Sequence, residues 1–202
     1  MNLPPLVLAS ASPRRKELLR KLHLDFRVVS SDATELHDEQ LTAGELARVN
    51  SYRKARAVAG TFPDALVLGA DTLVYLNGRL FGKPADLLEA HRMLEQLQGQ
   101  THQVYTGVCL IQSCANRHRV FAESTDVRFK RLTPRQIDQY LSAIEPLDKA
   151  GAYAIQEGGP SVIEEISGSY SNVMGLPLER LEAELAAWAG VVSHPTSLAG
   201  QR

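Results

Sequence analysis

ALVLGADTLVYLNGRLFG, residues 65–82, decides the fold. Its first part is an apolar run of the kind a buried strand presents. That run is expected to give out at Gly69-Ala70-Asp71. Asn77-Gly78 is the strongest short hairpin signal, because a tight type I′ turn needs positive φ at both central residues. Residues 73–76 and 79–82 are therefore expected to pair antiparallel. Strands and helices alternate around this stretch, and crossovers mixed with hairpins argue for an α/β fold built on a mixed sheet.

Upstream, residues 5–10 read as a strand. Ser12-Pro13 then places an N-cap and a first-turn proline on a helix over 13–23, with Leu18, Leu19 and Leu22 on its apolar face. Phe26–Val29 is a second strand. Thr42-Ala-Gly-Glu45 is a capping box opening a helix to about Ala59. Downstream, Asp86 caps a helix whose face comprises Leu87, Ala90, Leu94 and Leu97, with Gly99 ending it. HQVYTGVCLIQ (102–112) and RVFAESTDVRF (119–129) are long strands joined around Ala115-Asn116. Thr133-Pro134 starts a further capped helix. GAYAIQ (151–156), read as a strand ending at Gln156, and SVIEEIS (161–167) flank a turn at 157–160. A last helix sets Leu178, Leu181, Leu185 and Trp188 on one side.

With 202 residues and 44% hydrophobic content, the chain suffices for one domain, expected over 1–192, followed by a frayed tail at 193–202. The formal net charge of -1 argues against a nucleic-acid partner. The two cysteines, Cys109 and Cys114, form no Cys-x-x-Cys and read as reduced thiols. No signal peptide is indicated, and no apolar run approaches the roughly 20 residues of a membrane-spanning helix. A cytoplasmic protein without a membrane partner is expected.

Arg14 and Arg15 pose the sharpest question. Cations in a first helical turn oppose the helix dipole, at about 0.3–1 kcal/mol each. A bound anion would reverse that sign, held by first-turn N–H groups and guanidinium forks. A solvated basic face continued by Lys16, Arg20 and Lys21 is the plainer reading. Small Ala9, Ser10 and Ala11 let a ligand approach the backbone. Asp71, expected at the carboxyl end of a buried strand, sits where open α/β sheets place their sites; an Asx turn is its alternative. Lys83, before Pro84, reads alone as surface. Lys149 reads as a further cation for phosphate or as a surface partner of Asp148. Gln156 reads a base edge or closes a turn. Lys54 and Glu35 carry little signal singly, and Asp32 and Asp38 are equal alternatives to Glu35. Together, dispersed cations and a few carboxylates suit a polyphosphate carried with a divalent metal.

LVLASASPRRKELL, VLGADTLV, FGKP, HQVYTGVCL, EPLDKAGAYAIQ and GSYSNVMGLPLERL resemble, in order and spacing, the Maf family of nucleoside triphosphate pyrophosphatases. The resemblance runs from about Leu6 to Gly190. It implies an ITPase-like α/β fold, an elongated mixed sheet with flanking helices and two lobes around a central cleft. It implies hydrolysis of a nucleoside triphosphate to the monophosphate and pyrophosphate with a divalent cation, Mg2+ or Mn2+. Asp-Thr after the buried strand, with KAGAYAIQ, is similar to the branch acting on dTTP and UTP. By resemblance Asp71 is the catalytic proton acceptor. Arg14, Thr72 and Gln156 match positions tied to base choice. Ser10, Arg15, Glu35, Lys54, Lys83 and Lys149 match the polar set around triphosphate and metal. Catalysis is accordingly expected from Asp71, Glu35, Lys54 and Lys83, substrate binding from Ser10, Arg14, Arg15, Thr72, Lys149 and Gln156, and metal ligation from Glu35 and Asp71. A homodimer is also expected.

The chain departs from the family pattern at Ala143-Ile144, often Thr-Gly, at Glu157, more usually Gly, and at Asn50, where a longer or apolar residue is commoner. Preference for CTP or a methylated nucleotide, and a non-catalytic nucleotide-binding regulator of septum formation, are the competing readings.

Overall fold

The strand that decides the fold is longer than its apolar run. In the computed structural model, which describes residues 3–191 apart from the Val191 side chain, it extends unbroken from Leu66 to Leu76. The expected end at Gly69-Ala70-Asp71 is thus corrected, and Asp71 lies in mid-strand. The reason is a change of partners. The first strand, β1 (Leu6–Ala9), is followed by α1 (Pro13–Arg20), β2 (Phe26–Val28), α2 (Ala43–Ala59) and the long strand β3. β1 runs parallel to β3 only as far as the pair Ala9–Gly69. On the other side β5 (Thr101–Gln112) stays paired antiparallel to β3 from Val67 to Tyr75, with Asp71 opposite Gly107 and Thr72 opposite Thr106. Asp71 therefore sits just past the carboxyl end of the parallel strands, beside an edge that β1 has vacated.

The remaining elements complete a mixed sheet of seven strands. β4 (Arg79–Phe81) closes the hairpin on β3 through Asn77 and Gly78, both at positive φ, as the dipeptide predicts. α3 (Leu87–Leu97) leads into β5, which pairs along its length with β6 (Arg117–Phe129). α4 (Pro134–Leu141), two short 3-10 turns at Pro146–Asp148 and Ala150–Ala152, and the single turn α5 (Gly159–Val162) precede β7 (Ile163–Ser167) on the edge of β6. α6 (Tyr170–Met174) and α7 (Leu178–Val191) finish the described chain. The spatial order is β2-β1-β3-β5-β6-β7, with β4 on β3. Both capping boxes, at Thr42 and Thr133, are formed. The tail expected at 193–202 lies outside the described residues.

Period-2 alternation divides the two faces. Val7, Ala9, Val67, Cys109 and Ile111 pack with Ala55, Val58 and Ala59 of α2. Leu6, Leu8, Leu66, Leu68, Ala70 and Val108 join the larger core with residues of α1, α3, α4 and α7. By the same alternation Asp71 falls on the α2 face and Thr72 on the other.

Three local expectations are corrected. GAYAIQ is not a strand: Gly151 and Ala152 adopt φ of +69° and +59°, which no strand permits, and the Gly151 N–H donates to the carbonyl of Gly82. Its apolar residues are buried as a loop, with the backbone of Ala154 satisfied through both its N–H and its carbonyl by the Tyr140 hydroxyl. Leu87 is exposed, and Met93 replaces it on the buried face of α3. α1 ends at Arg20, ahead of a turn in which His23 takes positive φ.

α2 lies directly on backbone. A Cβ at Gly69 would stand 2.5 Å from the Ser51 carbonyl oxygen, and one at Gly107 2.1 Å from that of Ala47. These contacts are helix backbone and cannot swing aside. Gly107→Ala is expected to lower the unfolding free energy by about 2–3 kcal/mol in denaturant titration, whereas Gly60→Ala, at a helical φ with open space around it, should leave it near the wild-type value.

Candidate active site

Because α2 rides so low over Gly69 and Gly107, a side chain one helical turn along reaches the strand. Lys54 of α2 places Nζ 2.5 Å from Oδ1 of Asp71 and 2.6 Å from Oε1 of Glu35. Asp71 is 3% exposed, and its second oxygen, Oδ2, is buried with no hydrogen-bond partner among the described residues. Glu35 sits on the loop between β2 and α2, with its side chain about half exposed. Burial opposes ionisation of Glu35, but the hydrogen bond and charge of Lys54, joined by Lys83 and Arg15, outweigh it and hold the carboxyl below its usual range. Lys83 is exposed in the segment after β4.

Thr72, on the opposite face, anchors a second group. Arg15 donates from Nη2 to the Thr72 hydroxyl at 3.0 Å, from Nη1 to Ser10 at 3.4 Å, and from Nε to the Gly175 carbonyl at 2.9 Å. Burial pulls the Arg15 guanidinium below its ordinary pKa, against the attraction of Asp71. The hydroxyl of Thr106 lies 3.0 Å from that of Thr72 and donates to the carbonyl of Asn172 at 2.9 Å. A hydroxyl has one proton to give. Thr106 spends its own on Asn172, so Thr72 donates to Thr106. The relay runs Arg15 to Thr72 to Thr106 to Asn172, and Thr72 keeps only acceptor capacity.

The third group answers the question of Arg14. Its guanidinium reaches Asp148, with Nη1 3.3 Å from Oδ2. Asp148 also meets Lys149 at 2.8 Å. Burial raises the Asp148 carboxyl, but Lys149, Arg14 and Lys83 together bring it below its ordinary value. Lys149 is 4% exposed, and its ammonium is enclosed by the Glu145 carbonyl, Asp148 and, at 3.4 Å, Glu157. Gln156 is exposed in the turn beside Glu157.

The three groups share one field. Lys83 lowers the pKa of both Glu35 and Asp148, and Arg15 feels the charge of both Asp71 and Glu35. The structure thus brings Asp71, Glu35, Lys54, Lys83, Ser10, Arg14, Arg15, Thr72 and Lys149 together, and sets Gln156 at their margin. Two surface grooves hold none of them: one of about 270 Å3 beside Arg79, Glu89 and Arg92, and one of about 160 Å3 beside Tyr52, Arg56, Arg117 and His118. Charge convergence, not cavity volume, marks the site. The sequence reading passed over Thr106, whose only signal is a hydroxyl inside an apolar strand next to Gly107. It also passed over the carbonyls of Gly175 and Asn172, which leave no signal in a sequence.

Among the described residues no three His, Cys, Asp or Glu gather to hold a metal ion. A hard cation shared between one or two carboxylates and substrate phosphates needs no such cage. The unpartnered Oδ2 of Asp71 and the half-exposed Glu35 are donors of the right chemistry for it.

A group with a depressed folded-state pKa contributes stability above its unfolded value, here about 4.5, and loses it as pH falls through the folded value. In Lys54→Met the hydrogen bond and the nearest charge are gone. The Glu35 carboxyl is then expected to titrate upward toward its ordinary value, as read by carboxylate carbon NMR.

A family model described as Maf-like protein matches residues 5–188. The chain is 49% identical over 176 residues to a dTTP/UTP pyrophosphatase of Pelotomaculum thermopropionicum, covering 87% of this chain and 92% of that protein. It is 50% identical over 186 residues to a dTTP/UTP pyrophosphatase of Moorella thermoacetica, covering 92% and 95%. A solved HAM1 protein from Coxiella burnetii aligns at 13% identity with a TM-score of 0.39 over 64% of this chain and 75% of that one, too loose to bear on the argument. No helix among the described residues is long and apolar enough to cross a membrane. On the family match and the extent of its likeness to these relatives, the chain belongs to the Maf family.

Proposed function

We propose that this chain hydrolyses dTTP and UTP to the monophosphate and pyrophosphate. The observation that carries the reading is Asp71 held by Lys54 through one oxygen while the other, Oδ2, stays buried and unpartnered beside the cations. The name borne by relatives matching nearly the whole chain supports it.

Products of this kind follow from water attacking the α-phosphorus, with pyrophosphate leaving as a polyanion. Lys54 fixes Asp71 through Oδ1, so Oδ2 is the atom that takes the proton from water. Lys83 and Arg15 are the cations whose preformed charge would stabilise the leaving group. A divalent cation, Mg2+ or Mn2+, supplies further neutralisation of the phosphates when bound; Glu35 and Asp71 are the residues that would hold it. Ser10 lies just before α1 and Arg15 in its first turn, where the positive end of the helix suits an anion.

Base choice rests on hydrogen-bonding sense. Gln156 offers a donor and an acceptor together, the complement of a uracil-type edge. Thr72, left with acceptor capacity by the relay through Thr106, suits the N3–H of thymine or uracil and not the bare N3 of cytosine. A site built on such bonds rejects a base that leaves them unpaired. Arg14 is committed to Asp148 and steadies the Lys149 loop.

Pyrophosphate release measured across dTTP, UTP, CTP and purine triphosphates with Mg2+ or Mn2+ should show dTTP and UTP turned over first. Asp71→Asn is expected to cut turnover by about a thousandfold while nucleotide binding stays detectable in calorimetry. Undiminished turnover in that variant, or CTP as the preferred substrate, contradicts the assignment.

A further inference from the structure

We infer that Asn50 is a positioning residue for the reaction: through the backbone of Leu36 it sets the Glu35 carboxylate on Lys54. The inference rests on the function proposed above.

Asn50 is 1% exposed in the middle of α2. Its Oδ1 accepts the Leu36 N–H at 2.7 Å, and its Nδ2 donates to the Leu36 carbonyl at 3.1 Å. The amide thus mimics a neighbouring strand, taking both backbone groups of one loop residue. On the other side of Glu35, Arg53 Nε donates to the Thr34 carbonyl at 3.1 Å. Glu35 is therefore gripped before and behind by α2, and its carboxylate lands on Lys54 of the same helix. No regular secondary structure holds residues 29–42. Without the clamp, nothing else among these contacts prescribes the backbone at Glu35.

Chemistry explains why an amide is needed. A buried asparagine on a helix is costly unless its polar atoms are used. Here both are used on one target, and only an amide supplies donor and acceptor in that pairing. Leu at this position would fill similar volume and offer neither. Groups of this kind, which do not touch the reacting atoms but fix one that does, typically move activity by about 10–100-fold.

The test compares wild type, Asn50→Leu, Asn50→Asp and Glu35→Gln as full-length chains. Asn50→Leu keeps the volume and is expected to stay folded. Its kcat for dTTP at saturating Mg2+ should fall by about tenfold or more, with KM within about twofold. Without metal or nucleotide, the Leu36 amide should lose protection in hydrogen exchange. Asn50→Asp keeps the acceptor, loses the donor, and should fall between the two; it decides the matter if the leucine variant does not fold. A merely structural Asn50 would move the melting temperature and leave kcat alone, and that result overturns the inference. If Asn50→Leu keeps full kcat while Glu35→Gln loses it, positioning by Asn50 is wrong and the role of Glu35 stands. If Glu35→Gln keeps full kcat, the role of Glu35 fails, and the inference with it.

Discussion

One ammonium group ties this molecule together. Lys54 lies between a carboxylate on a buried strand and a carboxylate on an otherwise irregular loop. Taking a charged aspartate out of water is expensive unless a partner meets it. Asp71 is nearly fully buried, so its place in mid-strand depends on α2 delivering Lys54 to it. The delivery is steric before it is electrostatic. Gly69 and Gly107 remove the side chains that would otherwise hold the helix away from the sheet.

The position of the site follows from where β1 stops. Up to Ala9, β3 is covered on both edges; from Ala70 to Leu73 it keeps β5 alone, until β4 joins it at Val74. Consecutive residues then send side chains to opposite faces past a vacant edge. Asp71 meets Lys54, which also holds Glu35, on one face, and Thr72 meets Arg15 and Thr106 on the other. The first turn of α1 follows directly from β1 and brings Arg14 and Arg15 to the same place. Their positive charge in an unfavourable turn is offset by acceptors from elsewhere in the chain: Asp148 for Arg14, and Gly175, Ser10 and Thr72 for Arg15. The site is thus a joint product of strand alternation, one short strand and one low helix.

Much of this was legible in the sequence, and what was not has a common cause. The caps at Thr42 and Thr133, the Asn77-Gly78 turn and the mixed sheet are local or periodic features, and local signals report them faithfully. The extent of β3 is not local: whether a strand continues past Asp71 depends on β5, thirty-odd residues on (about 36 at the Asp71–Gly107 pair). GAYAIQ has the burial of a strand and the dihedral angles of a loop, and apolar residues signal only the first. Leu87 satisfies the spacing of an amphipathic helix but sits in the first turn, beyond the reach of the core. At the site, the residues resembling a known family came together in space, whereas Asn50 stood out only as a departure. Its use became visible when the loop backbone it grips was placed beside it.

The most direct test of the central claim is a crystal structure with the α,β-imido analogue of dTTP, whose bridging nitrogen resists cleavage. The account requires the α-phosphorus next to Asp71, the outer phosphates on Arg15 and Lys83, and the base toward Thr72 and Gln156. A nucleotide seated instead on the groove of Arg56, Arg117 and His118, with Lys54 still closed on an untouched Asp71, would contradict it.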